Sequence, residues 1–115
     1  MSFSIYYSAK REHKLTFEEK QKINILIEEY NSSKKNPKWV SFYVNNPENN
    51  TEPKIIFEGD TQLPGNIRGA WDAIQHWGSL LSKIRIVIPD AEWHVSVEDH
   101  QFTWDDKTLK YDLTK

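Results

Sequence analysis

Cysteine is absent from this 115-residue chain, and its absence excludes several kinds of chemistry. Without cysteine there is no disulfide, no thiolate nucleophile and no zinc or iron–sulfur site with thiolate ligands. A chain of this kind suits a reducing compartment. The residues from Met1 to Tyr7 also lack the basic stretch and long apolar run of a secretory signal, so we expect a cytoplasmic protein.

Long apolar runs and an excess of basic charge are missing as well. No stretch approaches the roughly 20 consecutive apolar residues that a transmembrane helix needs. The 15 Lys and Arg face 17 Asp and Glu, for a net charge of -2, whereas a general nucleic-acid binder usually carries a basic excess. The four glycines are scattered and form no phosphate-binding loop. What remains is one globular domain over residues 1–115 with enough apolar residues for a single core.

The chain does contain a regular succession of strand-like and helix-like segments. Alternation of period two, rich in aromatic and β-branched residues, predicts strands over 2–8, 39–44, 54–58 and 92–98, then a short strand around Phe102 and Trp104. Helical spacing predicts helices over 17–31 and 67–85. The first helix follows a capping box formed by Thr16 and Glu19, and the second follows an N-cap at Asn66.

The predicted order of elements indicates an α+β fold. The order β-α-β-β-α-β matches the split βαβ arrangement of ferredoxin-like folds. We therefore expect a plait with an antiparallel sheet in the order 4-1-3-2, two helices on one face and an extra C-terminal strand outside strand four. The expected core consists of Ile5, Ile23, Leu26, Ile27, Phe42, Val44, Phe57, Trp71, Ile74, Trp77, Leu81, Val95 and Val97. This architecture hosts many functions, so function has to be argued from sites.

The sheet face turned away from the helices would carry aromatic and polar side chains. The candidate ligand-binding residues on it are Tyr6, Trp39, Tyr43, Glu58 and His94, with Tyr6 between the last two. Rigid aromatic rings with polar tips suit a binding platform or a homodimer surface, and they equally suit cross-strand pairs that stabilise a half-exposed sheet. RNA stacking is disfavoured, because 54–58 lacks the glycines and second aromatic of RNA-recognition modules.

Metal binding and catalysis have weak support in the sequence. His94 with Glu92 or Glu58 would make an acid–base pair or two metal ligands. A metal site needs three or four converging ligands, and catalysis needs a pocket that a flat sheet does not provide. We therefore expect no metal, no cofactor and a non-enzymatic protein.

Acidic charge is concentrated near the C-terminus. From Asp90 to Asp106 there are six acids and no Lys or Arg. Ordinary solvated charge is one interpretation, and an acidic patch that steers a basic protein partner is the other. The expected partner-binding residues are Asp90, Glu92, Glu98, Asp99, Trp104, Asp105 and Asp106.

These patterns favour a small protein-binding module. Its sharpest form is an immunity- or antitoxin-like inhibitor that lays an acidic surface over a basic toxin or nuclease. One alternative is a dimeric small-molecule-binding protein or enzyme that uses Tyr6, Glu58 and His94 in a pocket closed by a second copy. Another is a structural or regulatory domain. Nucleic acid and membrane are not among the expected partners.

Overall fold

The computed structural model of the chain describes residues 3–34, 38–44, 54–98, 100–105, 107–108 and 110–112. Its elements are β1 Ser4–Lys10, α1 Phe17–Ser32, β2 Ile55–Gln62, α2 Ile67–Val87, β3 Glu92–Val97, β4 His100–Gln101, β5 Thr103–Asp105 and β6 Lys110–Asp112. Among the described residues, no helix has the length and apolar character needed to cross a membrane.

The main sheet consists of four antiparallel strands in the order β2-β1-β3-β4. Strands β5 and β6 pair in a separate two-stranded sheet. The prediction of an α+β fold with an antiparallel sheet and two helices is confirmed. The full order of a ferredoxin-like plait is not confirmed. As expected, β1 lies between β2 and β3, and the extra strand β4 lies outside β3. Among the described residues, however, β2 forms the edge of the sheet, because residues 39–44 form no strand.

The prediction of a strand over 39–44 is wrong because other groups bind this segment. The backbone N–H of Phe42 donates to Asn31 Oδ1 at 2.8 Å, and Asn31 Nδ2 donates to the Phe42 carbonyl at 3.1 Å. The Phe42 ring is buried and stacks on Tyr7 with 4.3 Å between ring centroids. A side-chain amide at the end of α1 thus makes the two backbone hydrogen bonds that a neighbouring strand would have made.

Both helices begin where their caps predict. Thr16 Oγ1 accepts from the Glu19 N–H at 3.2 Å, and the Thr16 N–H donates to Glu19 Oε1 at 2.8 Å, which completes the capping box. Asn66 Oδ1 accepts from the Gly69 N–H at the start of α2. The two helices end only one or two residues beyond the predicted 17–31 and 67–85.

The core lies between the helices and one face of the sheet. The predicted core residues that are fully buried are Ile5, Ile23, Phe42, Phe57, Trp77, Leu81 and Val95. Those that are half-buried at its margin are Leu26, Ile27, Val44, Ile74 and Val97.

Trp71 was predicted in the core, and that prediction is wrong, because its side chain is 42% exposed. Trp71 stands about three turns before Ser82 on the same side of α2. The hairpin of β5 and β6 contacts α2 at Ser82, whose Oγ accepts from the Tyr111 N–H at 3.0 Å, whereas Trp71 lies far from this contact.

Three strands differ clearly from their predicted bounds. The first, β1, spans Ser4–Lys10 rather than 2–8. We predicted the third strand over 54–58, but β2 spans Ile55–Gln62 and so continues through Gly59 and Asp60. The final strand was predicted around Phe102 and Trp104 as one piece. Instead, β4 pairs with β3, and the chain then leaves the main sheet so that β5 pairs with β6 over α2.

Candidate functional site

The open face, defined as the side of the main sheet that the helices leave uncovered, is organised by β1. On this strand Ile5, Tyr7 and Ala9 are buried, whereas Tyr6 is 44% exposed. Tyr6 lies opposite Asp60 on β2 and opposite Ser96 on β3. The open face therefore presents an aromatic ring near its centre, flanked by polar side chains.

Three candidate ligand-binding residues come together on the open face. Tyr6, Glu58 and His94 line a shallow concavity of about 310 Å³. The predicted arrangement needs one correction. The residue directly between Glu58 and His94 is Ser8, and Tyr6 lies one pair further along the sheet.

The other two candidates, Trp39 and Tyr43, do not lie in the sheet, because their segment forms no strand. Trp39 is buried, with its ring centroid 5.8 Å from that of His76 on α2. It lines a second groove of about 660 Å³ beside the start of α2. The charged side chains that line this groove are those of Lys38, Arg68 and Asp72, so the groove carries charges of both signs.

Tyr43 connects the two faces of the sheet. Its carbonyl accepts from the Tyr7 hydroxyl at 2.6 Å on the buried face, and its own hydroxyl donates to Asp60 Oδ1 at 3.0 Å on the open face. The Tyr43 side chain therefore passes around the outer edge of β2. The hydrogen bond to Asp60 raises the pKa of Tyr43, because ionising the phenol would place two negative charges side by side.

The open face is acidic. Carboxylates of Glu58 and Asp60 on β2 and of Glu92 on β3 extend from it. The basic groups on the same strands are Lys10, opposite Glu92, and His94, whose Nε2 lies 4.0 Å from Glu92 Oε1. Asp60 was missed because the predicted strand ends at Glu58, before Gly59. The alternation of Phe57, Gly59 and Thr61 with polar residues would have placed Asp60 on this face.

The acidic segment predicted as one patch is divided by the fold. Asp90 Oδ1 accepts from Arg11 Nη1 at 3.1 Å, so this carboxylate helps to hold the fold. Asp105 Oδ1 accepts from the N–H groups of Lys107 and Thr108 in the turn before β6. Of the other acids that the structure describes, Glu92 begins β3 and Glu98 follows its last residue, so the two are separated by the length of the strand. Glu98 Oε1 accepts from the Ser4 N–H at 3.3 Å.

The rest of the predicted partner surface has mixed outcomes. Asp99 and Asp106 lie outside the described residues. Trp104 is half-buried, with its ring centroid 5.1 Å from that of Tyr111 and the Arg85 guanidinium 4.4 Å above its ring. This position makes Trp104 part of the packing between the hairpin of β5 and β6 and helix α2.

Metal chemistry finds no geometric support in the described part of the chain. No three His, Asp or Glu side chains approach one another there closely enough to hold an ion. His94 and Glu92 form a single pair on an open surface. The open face presents charge, hydrogen-bond acceptors and an aromatic ring.

Comparisons of this chain with protein-family models, with curated proteins and with solved structures find no match.

Proposed function

We propose that this chain is a non-enzymatic protein-binding module that holds a basic partner on the open face. One observation carries the proposal: a helix-free sheet face with Tyr6 44% exposed near its centre and carboxylates on both flanking strands. A shallow surface of this kind suits a protein partner better than a small molecule, because small-molecule sites enclose most of the ligand surface.

Charge and the exposed ring have separate tasks in this proposal. Glu58, Asp60 and Glu92 attract a basic surface over a distance and speed its encounter. Tyr6 supplies rigid contact area after docking, and tyrosine is among the residues that most often dominate binding energy. The sharpest form of the proposal is an immunity-like inhibitor that covers the basic active site of a toxin or nuclease in the cytoplasm.

The first test finds the partner through the open face. The photoreactive p-benzoylphenylalanine is placed at Tyr6, and in a control protein at Ile25, which is 56% exposed on α1. We expect a crosslinked protein with a basic surface from the Tyr6 position only. The same product from both positions contradicts the proposal.

The second test measures kinetics with that purified protein. Glu58→Gln combined with Glu92→Gln should slow association severalfold, most strongly at low salt, because exposed charges are screened beyond about 8–10 Å near physiological ionic strength. The matched control is Glu18→Gln with Glu28→Gln on exposed positions of α1. Tyr6→Ala should instead speed dissociation about tenfold or more. Equal association rates for the two double variants would count against the acidic face.

A dimeric small-molecule-binding protein is a second candidate, favoured by the concavity that gathers Tyr6, Glu58 and His94. A second copy would have to close that concavity. Sedimentation should then show a stable dimer that Tyr6→Arg dissociates. A chain that stays monomeric at high concentration excludes this candidate.

A further inference from the structure

The outer edge of β2 carries backbone groups that face away from the sheet. The Leu63 N–H donates to the Phe3 carbonyl at 2.7 Å, so Phe3 and Leu63 form a hydrogen-bonded pair at the end of the β1–β2 ladder. In an antiparallel ladder, hydrogen-bonded and non-hydrogen-bonded pairs alternate from there. In this alternation the N–H and C=O groups of Glu58, Asp60 and Gln62 point outward. Within the described part of the chain, no backbone partner is found for them. Apart from the Tyr43 ring that crosses it, this edge presents the backbone groups with which an additional strand would pair.

We propose that the β2 edge accepts an extended segment of the partner, in antiparallel orientation and with Lys or Arg at alternate positions. This inference rests on the proposed function and names the mode of recognition. Backbone hydrogen bonds would supply the part of the affinity that does not depend on the sequence of the segment, and its alternate side chains would supply specificity.

Charge complementarity identifies the chemistry of the segment. Side chains of an added strand that point to the open face stand directly opposite Glu58 and Asp60, with Cβ atoms about 4.5–5.5 Å apart. Opposite charges at such positions stabilise the pairing and like charges weaken it. A basic residue at every second position therefore meets both carboxylates at once.

The same geometry disfavours this chain itself as the occupant. If two copies paired through all three outward residues of β2, two Asp60 carboxylates would stand side by side. The chain's own segment 39–44 carries no basic residue and is held elsewhere by Asn31 and by the buried ring of Phe42. The occupant is therefore a strand from a different, basic protein.

Tyr43 stands where this strand would bind. Its side chain passes around the β2 edge to donate to Asp60, so an added strand has to displace the ring. A lysine ammonium of the incoming strand then replaces the Tyr43 hydroxyl as the donor to Asp60. Tyr43→Ala is expected to raise the affinity severalfold, whereas Tyr43→Phe, which keeps the ring across the edge, should raise it less.

The decisive probe is a synthetic ten-residue peptide of alternating lysine and threonine. In an antiparallel pairing, the lysine N–H groups point to β2 and the threonine N–H groups point away. N-methylation of the lysine backbone amides should weaken binding tenfold or more, and N-methylation of the threonine amides should leave it nearly unchanged. If N-methylation of the threonine amides weakens binding and that of the lysine amides does not, the added strand is parallel and the proposed antiparallel orientation is wrong. Equal affinities of the two methylated peptides overturn the inference.

Amide hydrogen exchange gives an independent measurement with the same peptide. We expect the N–H groups of Glu58, Asp60 and Gln62 to exchange more slowly when the unmodified peptide is bound. Unchanged exchange at all three, or no binding of the unmodified peptide, overturns edge pairing. The proposed function fails separately, if the partner captured through Tyr6 is indifferent to Glu58→Gln with Glu92→Gln.

Discussion

Gly59 determines how closely Tyr43 can approach β2. A Cβ atom at this position would lie 2.6 Å from Tyr7 Cε2 and 2.7 Å from the Tyr43 carbonyl oxygen. Both distances are too short for van der Waals contact. The missing side chain therefore allows the Tyr43 carbonyl oxygen to approach β2 closely enough to accept a hydrogen bond from the Tyr7 hydroxyl.

Gly59→Ala should lower the free energy of unfolding by about 1–3 kcal/mol, because overpacking a filled site forces neighbouring groups to move. Gly65→Ala is the matched control. Nothing lies within 4 Å of a Cβ built there, so its effect should stay within about 0.5 kcal/mol. Urea unfolding of both variants checks the prediction, and equal losses would show that the contacts around Gly59 are easily relaxed.

Local signals made some site residues predictable. Tyr6, Glu58 and His94 could be assigned to one face because alternation along a strand requires no knowledge of its neighbours. Tyr43 could not be placed, because its position depends on a hydrogen bond from Tyr7, which is distant in sequence. Asp60 was not predicted as a site residue because a glycine usually indicates the end of a strand. The close approach of Tyr43 and Tyr7 to Gly59, which explains a glycine inside this strand, is visible only in the structure.

The starts of both helices were predictable because a helix cap depends on residues that are close in sequence. Thr16 with Glu19 and Asn66 with Gly69 are separated by only three residues, so the sequence contains both partners of each cap. The segment 39–44 has the period of a strand, but period two indicates only which side chains are buried. Whether a strand or the amide of Asn31 binds its backbone is decided by tertiary contacts.

Burial of the two helices predicts unequal responses to truncation. Leu81→Ala on α2 should cost about 2–5 kcal/mol, since its side chain is fully buried. Leu26 on α1 is only half-buried at the core margin, so Leu26→Ala should cost clearly less. Chemical unfolding of the two variants tests the difference. A larger loss for Leu26→Ala would mean that α1 contributes more to the core than its exposure indicates.

Arg11 joins three parts of the chain that are distant in sequence. It follows β1, pairs with Glu19 on α1 at 2.8 Å and with Asp90 after α2 at 3.1 Å, and also donates to the carbonyls of His13 and Lys14. Its side chain is almost fully buried, so these acceptors compensate for the lost hydration of the guanidinium.

Acid should weaken this junction. Hydrogen bonding from Arg11, followed by that from the Thr16 backbone, lowers the pKa of Glu19 from 4.5 to about 2. Because the pKa of Glu19 is lower in the folded chain than in the unfolded chain, the unfolded chain binds this proton first as the pH falls. The stability that Glu19 contributes is therefore present above about pH 4.5 and is lost as the pH falls toward 2.

Glu19→Gln should lower the free energy of unfolding by about 1.5–3 kcal/mol at pH 7, the usual value of hydrogen bonds to charged groups. The difference from the unmodified chain should shrink as the pH falls through this range. The control is Glu18→Gln, the exposed neighbour on α1. Urea unfolding at several pH values provides the measurement. A difference that stays constant across the range would contradict the assignment.

The course of the Tyr43 side chain around β2 also affects how readily the protein aggregates at high concentration. An eight-residue edge strand is a template on which further chains can stack into intermolecular sheets. A bulky ring across the middle of that edge, backed by the Asp60 carboxylate, blocks such growth. Removing the ring should therefore make concentrated solutions become turbid sooner, and peptides that occupy the edge should delay the turbidity.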